Sequence, residues 1–272
     1  MSTTQATRLG EVLERCRAEG RAALVGYLPV GYPSVEGSIE AMKVLVEAGC
    51  DIVEVGVAYS DPVIDGPVNQ EAMAAALAAG VRVDDVFTAV SAVRDAGAVP
   101  VVMTYWNLVL KRGVEAFAAD LEAAGGAGLI TPDLVPDEAD DWLAASERHG
   151  LDRVFLVAPS STPDRLEKVT SACRGFVYAA STMGVTGVRT SVDTDARTLV
   201  ERVREVTDVP VCIGLGVSTR EQAAEIAAYA DGVIVGSALV RTLAGDGELS
   251  ERLEALRSLT TELAQGVREG KR

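Results

Sequence analysis

The chain has 272 residues, of which 48% are hydrophobic and 24% charged, and its 25 basic and 40 acidic side chains leave a formal net charge of −15. This composition is typical of a folded globular protein, and an acidic chain without a run of Lys or Arg argues against nucleic acids and anionic membranes as partners. No apolar stretch reaches the roughly 20 residues that cross a bilayer, and the first residues do not resemble a signal peptide, so a cytoplasmic protein is expected.

Short β-branched segments alternate with amphipathic segments of helical period, which predicts parallel strands joined by right-handed crossovers. The predicted strands are 22–28, 51–57, 98–104, 128–131, 153–158, 175–180, 209–214 and 232–235. The predicted helices are 35–48, 83–96, 114–124, 137–148, 163–173, 195–206, 219–229 and 249–268. Eight such units without a linker predict an α/β protein with a single (β/α)8 TIM barrel, one domain spanning residues 1–272. Two extra helices are expected, an N-terminal one at 5–18 that closes the barrel bottom and one at 69–79 after the second strand.

The second predicted strand carries an acidic residue on its inward face. Because Val53, Val55 and Val57 share the face that suits packing against helices, Glu54 is expected to point into the barrel. A buried carboxylate is costly unless a cation pairs with it or its pKa rises. Glu54 is therefore either paired with a distant Arg or acts as an acid or base. The long loop that follows adds Asp65, and two carboxylates in different environments can divide acid and base roles.

Glycines at the ends of the last two predicted strands indicate a phosphate site. Gly214 and Gly216 end the seventh strand, and Gly236 and Ser237 join the eighth strand to a short helix. Unobstructed N–H groups at a helix N-terminus bind anions, and the loops after strands seven and eight usually hold phosphate in barrel enzymes. The glycine- and threonine-rich loop 181–188 is predicted to be a lid.

Residue types that are scarce narrow the chemistry further. None of the four lysines lies on an inward strand position, so a Schiff-base nucleophile is not expected. A single histidine and four widely spaced cysteines argue against a metal centre and a disulfide framework. The reaction type that these arguments leave is acid–base catalysis by carboxylates on a phosphorylated substrate. Tyr27, Tyr105 and Tyr178 fall at or beyond strand ends, which favours a flat apolar substrate group or, alternatively, ordinary packing at the rim.

Five segments carry a family resemblance: DIVEVGVAYSDPVIDGP at 51–67, MTYWNLVLKRG at 103–113, GVTG at 184–187, IGLGVST at 213–219 and IVGSALV at 234–240. They are similar to segments of tryptophan synthase α subunits, and the resemblance covers residues 24–243. It implies reversible retro-aldol cleavage of indole-3-glycerol phosphate to indole and glyceraldehyde 3-phosphate, with Glu54 as the acid and base and Asp65 binding the indole N–H. Substrate contacts are then expected at Tyr27, Tyr105, Tyr178, Thr186, Gly187, Gly214, Gly216, Gly236 and Ser237.

The resemblance also implies a partner. Family members work in an αββα complex whose β subunit carries pyridoxal phosphate, whereas the α subunit holds no cofactor or metal, and Asp61, Pro62 and Asn107 match partner-facing positions. This chain has Ala58 where the family commonly has proline, and Thr182 where many members have a basic lid residue. Such departures fit a free-standing lyase that releases indole without a β subunit. Another phosphate-binding barrel enzyme, such as an isomerase, and a non-catalytic scaffold that activates a β subunit are the remaining alternatives.

Overall fold

The computed structural model describes residues 7–180, 189–214 and 216–270. Its strands are β1 (Ala23–Pro29), β2 (Ile52–Gly56), β3 (Val99–Met103), β4 (Gly128–Ile130), β5 in two segments (Asp152–Val154 and Leu156–Val157), β6 (Val177–Ala180), β7 (Val211–Gly214) and β8 (Gly232–Val235). Each strand pairs in parallel with its neighbours in chain order, and β1 also pairs with β8. The two segments of β5 pair with β4 and β6 respectively, so the sheet closes into the predicted (β/α)8 barrel.

Helices surround this sheet and follow the predicted alternation. They are α1 (Arg8–Ala18), α2 (Val35–Glu47), α3 (Pro67–Ala78), α4 (Val83–Ala96), α5 (Trp106–Arg112), α6 (Val114–Ala124), α7 (Asp140–Arg148), α8 (Pro163–Ala172), α9 (Arg189–Arg204), α10 (Arg220–Ala227), α11 (Ser237–Thr242) and α12 (Leu249–Glu269), with a 3₁₀ turn at Pro136–Glu138. The buried hydrophobic residues of strands and helices belong to one continuous cluster.

Where helix boundaries differ from the prediction, local chemistry explains the difference. α1 begins at Arg8 because the Thr7 hydroxyl accepts a hydrogen bond from the Gly10 N–H and caps the helix. α3 begins at Pro67, two residues before its predicted start, because proline suits the first helical turn. α9 begins at Arg189, six residues before its predicted start, and the sequence did not indicate this because Thr, Ser, Val and Asp in its first turns are weak helix formers. The seven-residue α5 was not predicted because it is too short to show a helical period.

The strand register places the acidic residue of β2 inside the barrel. Tyr27 on β1 lies beside Glu54 on β2, and Gly56 follows on the same face. The Tyr27 ring fills the space in front of Gly56, so closely that an added Cβ there would lie 2.5 Å from a ring carbon. Glu54 is 1% exposed. It therefore points into the interior, toward the mouth formed by the carboxyl ends of the strands.

Helix α1 lies across the opposite, N-terminal end of the barrel. The Arg8 guanidinium donates to the Gly125 carbonyl ahead of β4, and the Leu9 N–H donates to the Asp152 carboxylate at the start of β5. Leu9 also lies against Gly175, which precedes β6. The buried Leu9, together with three further buried residues on its face, closes the bottom of the barrel as predicted.

Two features are absent from the described part of the chain. Its helices include none that is both long and apolar enough to cross a membrane. Within the same residues, no three His, Cys, Asp or Glu side chains are grouped so as to hold a metal ion. All four cysteines, Cys16, Cys50, Cys173 and Cys212, are buried, as small apolar core residues would be.

Candidate active site

Glu54 is a buried carboxyl group whose environment favours its neutral form. Burial raises its pKa to about 8, and the negative charge of Asp65 adds to the shift. Its Oε2 atom has no hydrogen-bond partner among the described residues. Neither influence on its pKa is a cation, and Glu54 forms no ion pair with an Arg side chain among the described residues, which argues against the alternative in which a distant Arg neutralises it. A carboxyl group that titrates near neutral pH can both donate and accept a proton.

Asp65 lies in the loop after β2, and a tyrosine on the neighbouring connection fixes its position. The Tyr105 hydroxyl donates to Asp65 Oδ2 at 2.7 Å and accepts hydrogen bonds from the N–H groups of Val63 and Ile64 at 2.9 and 3.1 Å. One donor and two acceptors exhaust the bonding capacity of a phenol hydroxyl. Tyr105 therefore attaches three successive loop residues to the end of β3, and Asp65 is presented to the mouth in a defined orientation.

The second oxygen of Asp65 is also bonded. Asn69, in the first turn of α3, donates from Nδ2 to Asp65 Oδ1 at 3.2 Å. The carbonyl oxygen of the same amide, Asn69 Oδ1, is buried and has no partner among the described residues. Hydrogen-bond donors thus hold Asp65 from two sides.

Two tyrosines occupy the interior of the mouth because two glycines leave room for them. The Tyr27 ring lies over Gly56, and the Tyr178 hydroxyl would be 2.4 Å from a Cβ at Gly214. Burial is the main reason why the pKa values of both phenols lie above the ordinary value, and the charges of Glu54 and Asp65 raise them further. These electrostatic effects show that both phenols and both carboxylates converge on one space.

The predicted phosphate residues lie beside that space. Gly216 has a φ of +67°, a conformation that suits glycine. Gly236 is the N-cap residue of α11, and Ser237 is its first residue. The first N–H groups of any helix have no acceptor within the helix. Gly236 also lies near the Tyr27 ring, 3.4 Å from an added Cβ, which connects this end of β8 to the aromatic residues.

Some sequence predictions fall outside this geometry. Thr182, Thr186, Gly187 and the whole predicted lid 181–188 lie outside the described residues. Asp61 and Asn107 are exposed and Pro62 is partly exposed, at positions away from the buried carboxyl group.

Sequence reasoning missed three features: the attachment of the loop by Tyr105, the second bond to Asp65 from Asn69, and the space that Gly56 leaves for Tyr27. A glycine within a strand pattern signals a close approach, which was the one available clue to the last of them.

Comparisons with known proteins agree with one another. The sequence model of the family described as "Tryptophan synthase alpha chain" matches residues 13–268. The chain is 66% identical over 265 residues to the tryptophan synthase alpha chain of Mycobacterium marinum, covering 97% of this chain and 96% of that one. Against the protein of the same name from Mycobacterium tuberculosis, identity is 63% over 267 residues, covering 98% and 97%.

Solved structures show the same likeness. A crystal structure of tryptophan synthase from M. tuberculosis contains a chain that matches with a TM-score of 0.90 at 61% identity, covering 97% of this chain and 100% of that one. The tryptophan synthase alpha chain of Legionella pneumophila matches with a TM-score of 0.87 at 29% identity, covering 97% and 98%. The barrel is therefore retained where most of the sequence differs.

Proposed function

This chain belongs to the tryptophan synthase alpha chain family, a family of lyases in tryptophan biosynthesis, and from that premise we propose that it cleaves indole-3-glycerol phosphate with Glu54 as the proton-transferring group. The products are indole and glyceraldehyde 3-phosphate. One observation carries the assignment: Glu54 is buried at the mouth with no cation paired to it in the part of the chain that the structure describes, and its pKa is raised to about 8.

The reaction requires two proton transfers around one carbon–carbon bond. Protonation of indole C3 gives an electron-poor ring, and loss of the proton from the adjacent side-chain hydroxyl lets the aldehyde form as the bond between C3 and the side chain breaks. The electron pair of that bond returns to the ring and restores indole. A protonated Glu54 supplies the first proton, and its carboxylate then accepts the second. A carboxyl group that is mostly ionised at neutral pH would donate poorly.

Asp65 stabilises the intermediate. Its carboxylate, held by Tyr105 and Asn69, accepts a hydrogen bond from the ring N–H. Positive character develops on the ring after C3 is protonated, so this charge-assisted bond is stronger in the transition state than in the ground state. Because Asp65 is already oriented before substrate binds, little reorganisation is needed during the reaction.

The remaining predicted contacts divide between ring and phosphate. Tyr27 and Tyr178 provide buried aromatic surface for the indole ring. Main-chain groups at Gly214, Gly216 and Gly236, with Ser237 at the start of α11, bind the phosphate. Thr186 and Gly187 complete the site in this proposal.

Family membership implies a β subunit as partner, and we place its contact surface on the loop and helix next to the mouth. The proposed partner residues Asp61, Pro62 and Asn107 lie among exposed apolar side chains: Val63 is 78% exposed, Ile64 52% and Leu110 53%. Exposed apolar side chains grouped in this way are typical of protein interfaces. In this proposal the chain contributes no cofactor, and pyridoxal phosphate belongs to the β subunit.

Indole release by purified wild-type chain and by Glu54→Gln, each with and without a β subunit, tests the proposal. We expect the variant to lose at least about 1,000-fold in kcat, while its affinity for inorganic phosphate or glyceraldehyde 3-phosphate changes by less than about tenfold, or ~1.4 kcal/mol. In the wild type, kcat/KM should fall above about pH 8 as Glu54 loses its proton.

Each alternative gives a different result. Equal indole release by wild type and Glu54→Gln would reject the assigned proton transfer. Full activity of the chain alone would favour the free-standing lyase. Absence of indole release even with a β subunit would favour the scaffold.

A further inference from the structure

We infer that Asn69 is a positioning residue for the reaction: its side-chain amide holds the Asp65 carboxylate in the orientation that receives the ring N–H. The inference rests on the proposed function of Asp65. It starts from one hydrogen bond, in which Asn69 Nδ2 donates to Asp65 Oδ1 at 3.2 Å. The other carboxylate oxygen, Asp65 Oδ2, accepts a hydrogen bond from the Tyr105 hydroxyl at 2.7 Å.

The chemistry of the two groups fixes the direction of this bond. An ionised carboxylate only accepts hydrogen bonds, and an amide donates only from its nitrogen. Turning the Asn69 amide over would place two acceptor oxygens against each other. The amide therefore donates to Asp65. Each carboxylate oxygen of Asp65 thus accepts one hydrogen bond, one from Tyr105 and the other from Asn69.

A purely structural role for Asn69 does not account for its surroundings. Asn69 is the third residue of α3, where a polar side chain commonly reaches back to accept from the N-cap N–H. Asn69 Oδ1 makes no such bond, and it is buried without a partner among the described residues. An unpartnered buried carbonyl is unfavourable for folding. An apolar residue of similar size would be tolerated better by the fold, so the amide serves Asp65.

Substitution by leucine separates catalysis from stability. Asn69→Leu removes the donor and the unpartnered carbonyl together while keeping the number and branching of the side-chain heavy atoms. We expect kcat for indole release, measured with the β subunit present, to fall about tenfold, KM to change by less than threefold, and Tm to stay equal or rise. A residue that only supports the fold would lower Tm and leave kcat nearly unchanged, and that result would overturn the inference.

Substitution by aspartate gives a pH signature. At pH 8, Asn69→Asp places a negative charge beside that of Asp65 and removes the donor, so it should be less active than Asn69→Leu. At about pH 5.5 a proton shared between the two carboxyl groups restores an O–H donor, and activity relative to wild type should recover at least threefold. The control Gln70→Glu adds the same charge one residue further, where the side chain is exposed and its hydrogen bond goes to the main-chain carbonyl of Asp65 rather than to the carboxylate. The same recovery in both variants would contradict the inference.

A measurement without substrate tests the contact independently of the proposed function. The chain contains two asparagines, Asn69 and Asn107, so side-chain ¹⁵N labelling of asparagine gives two amide signals. Asn107 is exposed and serves as an internal reference. We expect the Asn69 amide protons to exchange with solvent at least about tenfold more slowly than those of Asn107, and to lose this protection in Asp65→Ala. Equal exchange, or protection that survives Asp65→Ala, would overturn the contact, whereas protection in a chain that releases no indole would reject only the proposed function.

Discussion

Asp51 and Glu54 lie three residues apart on the stretch of chain that forms β2, yet their surroundings are opposite. At the barrel bottom, Asp51 accepts two hydrogen bonds from Arg21, each 2.8 Å long, and a third from the Leu24 N–H at 2.9 Å. Near the mouth, Glu54 is buried with one oxygen unpartnered among the described residues and with Asp65 as a repelling neighbour.

The same contrast extends around the barrel. Asp231, another acidic residue of the bottom, accepts from the Val211 N–H at 2.8 Å and pairs with Arg17 and Arg204. Asp51 and Asp231 at the bottom are thus neutralised by arginines and hold strands and α1 together, whereas Glu54 at the mouth has no such cation among the described residues. Burial alone therefore does not separate a structural carboxylate from a candidate catalytic one, and the lack of a paired cation is the added feature that supports the proposed role of Glu54.

The largest expected effect comes from removing a cation at the bottom. Arg21→Met leaves Asp51 with one backbone donor, and breaking a buried ion pair costs about 3 to 5 kcal/mol of unfolding free energy. Urea unfolding measures this loss, and kcat should remain within threefold of wild type. The matched control is Arg257→Met, which breaks the exposed pair with Glu47 and should cost less than about 1 kcal/mol. Equal losses in the two variants would show that the Arg21–Asp51 pair stabilises the barrel no more than an exposed ion pair does.

The next expected effect is a gain in the free energy of unfolding rather than a loss. The folded-state pKa of Glu54 is raised from about 4.5 to about 8, so the native state retains a proton that the unfolded chain releases, and stability falls as pH rises between those values. Above pH 8 the full cost is present. Glu54→Gln, which carries no charge, should therefore unfold at a free energy at least about 2 kcal/mol higher than wild type at pH 9 and close to wild type at pH 5.

Asp51→Asn is the matched control, because it makes the same carboxyl-to-amide change three residues earlier. It weakens the bonds to Arg21 and should lower stability at pH 9. If both amide substitutions destabilise the chain at pH 9, Glu54 is not the unfavourable charge that the comparison requires.

How far the sequence predicted these features depends on whether the cause is local. The alternation around Glu54 is a property of consecutive residues, so its inward orientation and the strand could be predicted from β2 alone. The eight strands followed from the same kind of pattern. The residue after a strand and the first residue of a helix are also local positions, which is why Gly236 and Ser237 could be placed at the end of β8.

Contacts between distant residues could not be predicted in this way. Arg21 and Asp51 are 30 positions apart, and Tyr105 and Asp65 are 40 apart. Which arginine neutralises which carboxylate depends on barrel closure and side-chain reach, neither of which appears in a single segment. For that reason the sequence left open whether Glu54 was paired with an Arg, and it suggested Tyr105 only as an aromatic contact rather than as the anchor of the loop.

The smallest expected effect concerns Asp152, a carboxylate at the barrel bottom whose surroundings are intermediate between those of the ion-paired Asp51 and those of Glu54. It accepts from the Leu9 N–H at 3.3 Å, but its Oδ1 is 3.9 Å from Arg174 Nε and makes no hydrogen bond among the described residues. Burial raises its pKa from about 3.8 to about 6, and the Leu9 bond and Arg174 only partly oppose the shift. Its charge therefore becomes unfavourable as pH rises from about 4 to about 6.

Asp152→Asn should consequently raise the unfolding free energy by roughly 1 kcal/mol at pH 8 and leave it nearly unchanged at pH 4. The amide oxygen still accepts from Leu9, so α1 keeps its anchor. Asp231→Asn, which disrupts pairs with Arg17 and Arg204, should instead lose stability at pH 8. Urea unfolding at both pH values separates the two outcomes. A loss at pH 8 in Asp152→Asn as large as that in Asp231→Asn would mean that position at the bottom, rather than pairing with a cation, decides whether a buried carboxylate stabilises this barrel.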